Sequence, residues 1–255
     1  SGAMDCTGAK RTQLMAVYEN ALDGANKNRR SNVAGQMSLF GDGLLEEVKP
    51  ALPDIPEYNL RTMLSLEKNG VKYYFIDNEY YFKRPGLYGQ YDDGERYAFF
   101  CTAVMDMMPV LGYFPDILHA HDWQAALSVI YLKRKYSRDA RWSGMKSIFT
   151  IHNIEYQGKY DFYILGDVFA LSDYDRSTVE WDGCINLMKG AVVCADRVST
   201  VSPRYAGEIM RPEFSHGLDG VLRENAGKLR GILNGIDYSY YDPATDPVLA
   251  QSYTA

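Results

Sequence analysis

Two short stretches hold most of the side chains able to do chemistry, His119-Ala120-His121-Asp122-Trp123 and Thr150-Ile151-His152-Asn153. Imidazoles, a carboxylate and a carboxamide brought together can donate and accept hydrogen bonds and move protons near neutral pH. Each stretch ends an apolar run, Pro115–Leu118 in one case and Lys146–Phe149 in the other. A helix-like segment, Gln124 to Tyr136, separates them. Strand, helix, strand in that order is a βαβ unit, with parallel strands and a right-handed crossover. Ligands of open α/β sheets bind beyond the carboxyl ends of the strands. The two stretches are therefore expected to open into one crevice. His119 and His121 alternate and so share a strand face, although His119 by itself reads as a core residue. A strand-end histidine or aspartate also serves turn backbone, and Trp123 serves packing as readily as a substrate platform. His119, His121 and His152 could converge, but no pair has metal-ligand spacing, so no metal is expected.

The elements that must position these residues are legible after residue 69. Val71–Ile76 reads as a strand, Tyr97–Met108 as a helix, and regular α/β alternation follows from Asp116. Gly183–Ala195 reads as a helix leading to a strand at Arg197–Ser202, with Pro203 opening the next helix. Leu229–Leu233 reads as a last strand, broken at Asn234-Gly235. Before residue 69 the pattern differs. Lys10–Asn26 reads as a helix, Asp42–Pro56 as an acidic, proline-punctuated linker, and Glu57–Lys68 as a short helix. The fold class expected is α/β, an incomplete Rossmann-like parallel sheet with flanking helices, preceded by a mostly helical and linker segment.

Bulk properties narrow the classes. A chain of 255 residues is long enough for a sizeable core. A net charge of −6 argues against direct nucleic-acid binding, despite the local basic stretch Lys27, Arg29 and Arg30. The apolar run Tyr97–Phe114 contains Asp106 and Pro109, so it reads as a core helix and not a membrane span. Four widely spaced cysteines, with no secretory signal, read as reduced thiols of a cytoplasmic protein. Ser1–Met4 reads as a remnant of tag removal, within a leader of residues 1–6.

From about residue 69 to 255 the chain resembles the N-terminal domain of bacterial glycogen synthase and plant starch synthase. The resemblance rests on Tyr81-Phe82-Lys83-Arg84-Pro85-Gly86-Leu87-Tyr88-Gly89, on the two histidine stretches, and on Ile154-Glu155-Tyr156-Gln157-Gly158. It continues through Leu187-Met188-Lys189-Gly190, Ala195-Asp196-Arg197-Val198, Thr200-Val201-Ser202-Pro203 and Leu233-Asn234-Gly235-Ile236-Asp237. It implies a glycosyltransferase-B type fold, with ADP-glucose between two Rossmann-like domains. The implied reaction adds glucose to an α-1,4-glucan with retention, and needs no cofactor. His152 would contact the transferred glucose, and Asp122 and Trp123 would shape the pocket. Asn153 and Asn234 would line the cleft, with Tyr88 at its outer part. The family's opening strand and Lys-Thr-Gly-Gly-Leu loop find no match in residues 1 to 68, and its C-terminal domain is not represented. The expectation is an enzyme fragment inactive alone.

Residues 7 to 68 look different. Arg11–Tyr18, Gly35–Gly41 and Leu52–Tyr58 are similar to segments of the bacterial DNA polymerase III alpha subunit. Gln36, Leu39 and Phe40 resemble that family's sliding-clamp-binding peptide. A glutamine amide with a Leu-Phe pair is a plausible docking device for an apolar pocket. The competing expectations are therefore a clamp-binding module fused to a passive domain, or a chimera joined near residues 68 to 71 with no native function.

Overall fold

The computed structural model describes residues 11–16, 46–48, 62–238 and 241–254. Its four-stranded parallel sheet has the order β11-β10-β6-β5, formed by β5 (Ile117–His121), β6 (Lys146–Ile151), β10 (Arg197–Thr200) and β11 (Leu229–Gly231). Parallel neighbours need crossovers, and helices supply them. α3 (Asp122–Arg134) links β5 to β6, and α5 (Leu187–Cys194) precedes β10. α6 (Pro203–Glu208) and α7 (Asp219–Glu224) lie between β10 and β11. Helix boundaries follow local chemistry. Asp122 opens α3 and Lys133 and Arg134 close it, matching the helix dipole at both ends. The Asn186 side chain caps α5 and that of Ser202 caps α6, with Pro203 at the first helical position.

The sheet is sided. Leu118 and Ala120 of β5, Phe149 and Ile151 of β6, and Val198 of β10 are buried in one core with α3 and α5. α2 (Asp93–Leu111) joins that core through Tyr97, Phe99, Cys101 and Met105. Ile117, His119 and His121 alternate onto the other face and are exposed. Among the described residues no helix is long and apolar enough to cross a membrane.

The N-terminal segment contradicts its helical and linker readings wherever it is described. β1 (Arg11–Ala16), β2 (Glu46–Val48) and β3 (Thr62–Lys68) are strands, joined with β4 (Val71–Asp77) in the order β1-β4-β3-β2. β1 runs parallel to β4, whereas β3 and β2 are antiparallel to their neighbours. The turn between β3 and β4 is Asn69-Gly70, with φ of 54° and 72°. Two consecutive residues in the left-handed region make the tight turn that matches strand twist, for which Asn-Gly is the favoured pair. That dipeptide marks a hairpin, and the change of character seen there in the sequence falls at the hairpin's tip. The helix expected at Glu57–Lys68 fails because non-local pairing along β4 outweighs a short periodic window. Residues 17–26 of the first expected helix, and most of the expected linker, lie outside the described residues. So do the basic stretch Lys27–Arg30 and the motif residues Gln36, Leu39 and Phe40.

A smaller correction concerns Gly183–Ala195. Its first part, β9 (Cys184–Asn186), is the central strand of a three-stranded antiparallel sheet with β7 (Lys159–Tyr160) and β8 (Glu180–Trp181). The helix begins only at Leu187, because the Asn186 side chain accepts from Lys189 N and ends the strand there. The remaining helices are α1 (Glu79–Phe82) and α4 (Arg176–Val179).

Candidate functional site

β5 and β6 pair with His121 opposite Thr150, so their carboxyl ends stop at one level. The chain turns from β5 into α3 without a loop, and Asp122 makes the corner at a φ of 55°. That region is sparsely used by residues with a side chain, although aspartate tolerates it better than most. The corner aims the carboxylate across to the next strand end. One carboxylate oxygen accepts the His152 amide at 2.8 Å and, at longer range, the Asn153 amide at 3.4 Å. Asp122 therefore fixes the loop that carries two other predicted site residues.

The rings form a second connection. His121 Nδ1 and His152 Nε2 are 3.0 Å apart, so one donates and the other accepts. The rings of His119 and His121 lie 4.2 Å apart, centroid to centroid. His119 Nε2 reaches Thr150 Oγ1 at 2.7 Å, and Thr150 Oγ1 meets Ser199 Oγ at 2.6 Å. His119, which the residues alone read as core, thus stands on the open face and begins a polar chain across β5, β6 and β10. Thr150 and Ser199 went unrecognised as site residues. Period-two alternation places side chains on a face, but only register puts Thr150 between His119 and Ser199.

Although His119 and His121 are exposed at the surface, loss of water around the packed rings pushes the His121 pKa down to about 4 from 6.5, with His119 and His152 adding to the effect, and lowers His119 too. The native site therefore favours the neutral forms of His119 and His121. An unfolded His121 takes a proton near pH 6.5, which the native ring refuses until about pH 4. Stability from this source is complete above pH 6.5 and drains as the pH falls through that window. The urea midpoint is expected to drop between pH 7 and 4.5, with a shallower drop in His121→Asn. Equal pH dependence in the two proteins would remove His121 as the cause.

Beyond His152 the loop is built, not loose. Asn153 Oδ1 accepts from Glu155 N at 3.0 Å, an Asx turn. Buried Gln157 donates to the carbonyls of Ile154 and His216, and its own carbonyl accepts from Asn186 Nδ2 at 2.7 Å. Trp123 lies under the corner, 7 % exposed, with its ring edge-on to Tyr97 at 5.1 Å. It supports the crevice from the core. Tyr88 is exposed and faces Tyr156 with ring centroids 6.5 Å apart. Asn234 is exposed and follows β11, two strands beyond β6 on the same carboxyl edge, about 10 Å away by strand spacing. The structure thus joins His121, Asp122, His152 and Asn153 directly, and sets Trp123 below them. Among the described residues no group of three or more His, Cys, Asp or Glu side chains is placed to hold a metal ion.

A parallel α/β sheet with flanking helices and polar side chains gathered at its carboxyl edge defines a Rossmann-like fold, the class whose ligands bind at that edge. The profile of the starch synthase catalytic domain matches residues 15–224. The chain belongs to that family. A glycogen synthase of Ligilactobacillus salivarius is 46% identical over 226 residues, covering 85% of this chain and 48% of its own length. One from Streptococcus mutans is 49% identical over 189 residues, covering 73% and 40%. The catalytic domain of Starch Synthase IV from Arabidopsis thaliana, solved with ADP and acarbose, superposes with a TM-score of 0.65 at 32% identity. That match covers 75% of this chain and 40% of the solved one. The chain spans less than half the length of these relatives. The family match begins at residue 15 and runs through most of the segment read as polymerase-like. The comparisons support the synthase resemblance and lend none to a polymerase segment, a clamp partner or a chimera.

Proposed function

We propose that this chain carries the sugar-binding half of a retaining glucosyltransferase site that moves glucose from ADP-glucose to the non-reducing end of an α-1,4-glucan. The observation that carries the reading is the joining of two parallel strand ends by Asp122, which holds the backbone of His152 and Asn153. In this reading His152 contacts the transferred glucose, and Asp122 keeps it in register. Asn153 and Asn234 line the cleft, Trp123 supports it from below, and Tyr88 marks its outer edge. Cleaving a glycosyl–phosphate bond leaves positive charge on the sugar and negative charge on the diphosphate. Groups fixed in place before the reaction stabilise such charge better than mobile ones. Neutral rings at His119 and His121 add no positive charge beside the sugar's own developing positive charge.

The groups that would hold the diphosphate fall, on this reading, within the part of the relatives that this chain does not span. Binding without turnover is therefore expected of the chain alone. A cytoplasmic setting goes with it, in keeping with the free thiols of Cys101, Cys184 and Cys194. Calorimetric titration with ADP-glucose and with a malto-oligosaccharide tests the reading. His152→Ala is expected to weaken ADP-glucose binding about tenfold, one charge-free contact or slightly more. Failure of the unsubstituted chain to bind either ligand would overturn the proposal, and turnover of ADP-glucose would overturn the expectation of inactivity.

A further inference from the structure

Tyr88 combines two properties that rarely meet. Its ring is 60 % exposed, yet the backbone on both sides of it is tied down by side chains from the first two turns of α2. The carbonyl before it, of Leu87, accepts from Tyr97 Oη at 2.6 Å. The amide after it, of Gly89, donates to Asp93 Oδ2 at 2.6 Å, and the Gln90 amide follows at 3.1 Å. The other Asp93 oxygen holds Arg96 Nη1 at 2.5 Å, and Arg96 Nε donates to the Tyr81 carbonyl at 2.6 Å. Asp93 is 6 % exposed and Arg96 0 %. Desolvating an ion pair is costly, and here its hydrogen bonds go to a surface loop and not to a core. The same turn of helix reaches the crevice through Tyr97, which packs edge-on against Trp123.

The ring so presented meets Tyr156, itself 55 % exposed, on the loop that begins at His152. Two exposed tyrosines on separately anchored loops form a fixed aromatic edge beside the strand ends. Aromatic rings with polar tips suit the alternating apolar and hydroxyl surfaces of a sugar chain.

We infer that Asp93 and Tyr97 are positioning residues that set Tyr88 against Tyr156, and that this tyrosine pair holds an α-1,4-glucan chain at the outer edge of the crevice. The inference rests on the proposed function. It adds Tyr156 as a second sugar-contacting ring and a helix turn that acts only through Tyr88.

The test is titration of a malto-oligosaccharide into the full chain. Tyr97→Phe keeps the ring against Trp123 and removes only the hydroxyl, so its affinity is expected to fall about fivefold, the worth of one net hydrogen bond. Tyr156→Ala is expected to lose about tenfold. The Tyr88→Ala/Tyr97→Phe pair separates positioning from general support: without the Tyr88 ring, loss of the Tyr97 hydroxyl should weaken binding no further. Additive losses, or affinities unchanged in the single variants, overturn the inference and leave the proposed function standing. If the unsubstituted chain binds no malto-oligosaccharide, the glucan reading falls and the inference falls with it.

Discussion

Gly231→Ala is expected to unfold the parallel sheet at its outer strand, with a loss of about 3 kcal/mol or more. A methyl group built there would lie 2.1 Å from the Ser202 carbonyl oxygen, 2.3 Å from the Ser202 carbonyl carbon and 2.4 Å from Pro203 Cα. All three atoms are backbone, so no side chain can rotate away. Ser202 cannot retreat easily either, because its side chain caps α6 through Tyr205 N at 2.9 Å. Gly231 in turn is held in place opposite Thr200, whose carbonyl accepts the next amide, that of Ile232, at 2.8 Å. Relief must come from lifting β11 off β10 or unwinding the first turn of α6. Small domains have only about 5–15 kcal/mol of stability, so such a loss removes a large share of it. Urea denaturation followed by circular dichroism reads the effect, and a midpoint equal to that of the unsubstituted chain would contradict this reading of the β11–α6 junction.

The second large effect is expected at Asp122. Asp122→Ala leaves the His152 and Asn153 amides without their acceptor and keeps a Cβ in a left-handed corner, where aspartate is better tolerated than alanine. It also removes a negative charge from the first turn of α3. Together these are expected to cost about 2–3 kcal/mol. The loop from His152 should then move enough to break the 3.0 Å contact between the His121 and His152 rings. Asp122→Asn retains an oxygen for the two amides and is expected to recover most of the stability. Imidazole NMR signals distinguish the cases. In the alanine variant the His121 and His152 resonances should move towards those of independent rings, and in the asparagine variant they should stay. If the two variants behave alike in stability and in these signals, Asp122 does not position the loop.

Both effects arise at joints between elements, and joints are where the sequence was hardest to read. The β5–α3–β6 unit was legible because its parts are local. Apolar runs end at Leu118 and Phe149, a helical segment separates them, and one connectivity rule makes the strands parallel. That unit alone implied that His121, Asp122, His152 and Asn153 lie together, as their hydrogen bonds show they do. Trp123 was read as a candidate pocket residue, and its ring is buried against Tyr97 beneath the strand ends. Cys184–Asn186 was misread because a short apolar run looks alike in a buried helix and in a buried strand.

The sequence by itself determined the family and most of the local units after Asp116, since blocks such as Thr150–Gly158 carry those signals in neighbouring residues. Only the tertiary structure decided that Arg11–Ala16 and Thr62–Lys68 are strands, because each is extended by pairing with β4 and not by its own propensity. It also decided that Thr150 bridges His119 to Ser199, that Asp122 holds the His152 amide, and that Asp93 secures the backbone beside Tyr88. Strand register and the approach of one loop to another depend on contacts between residues distant along the chain, and no local pattern encodes those distances.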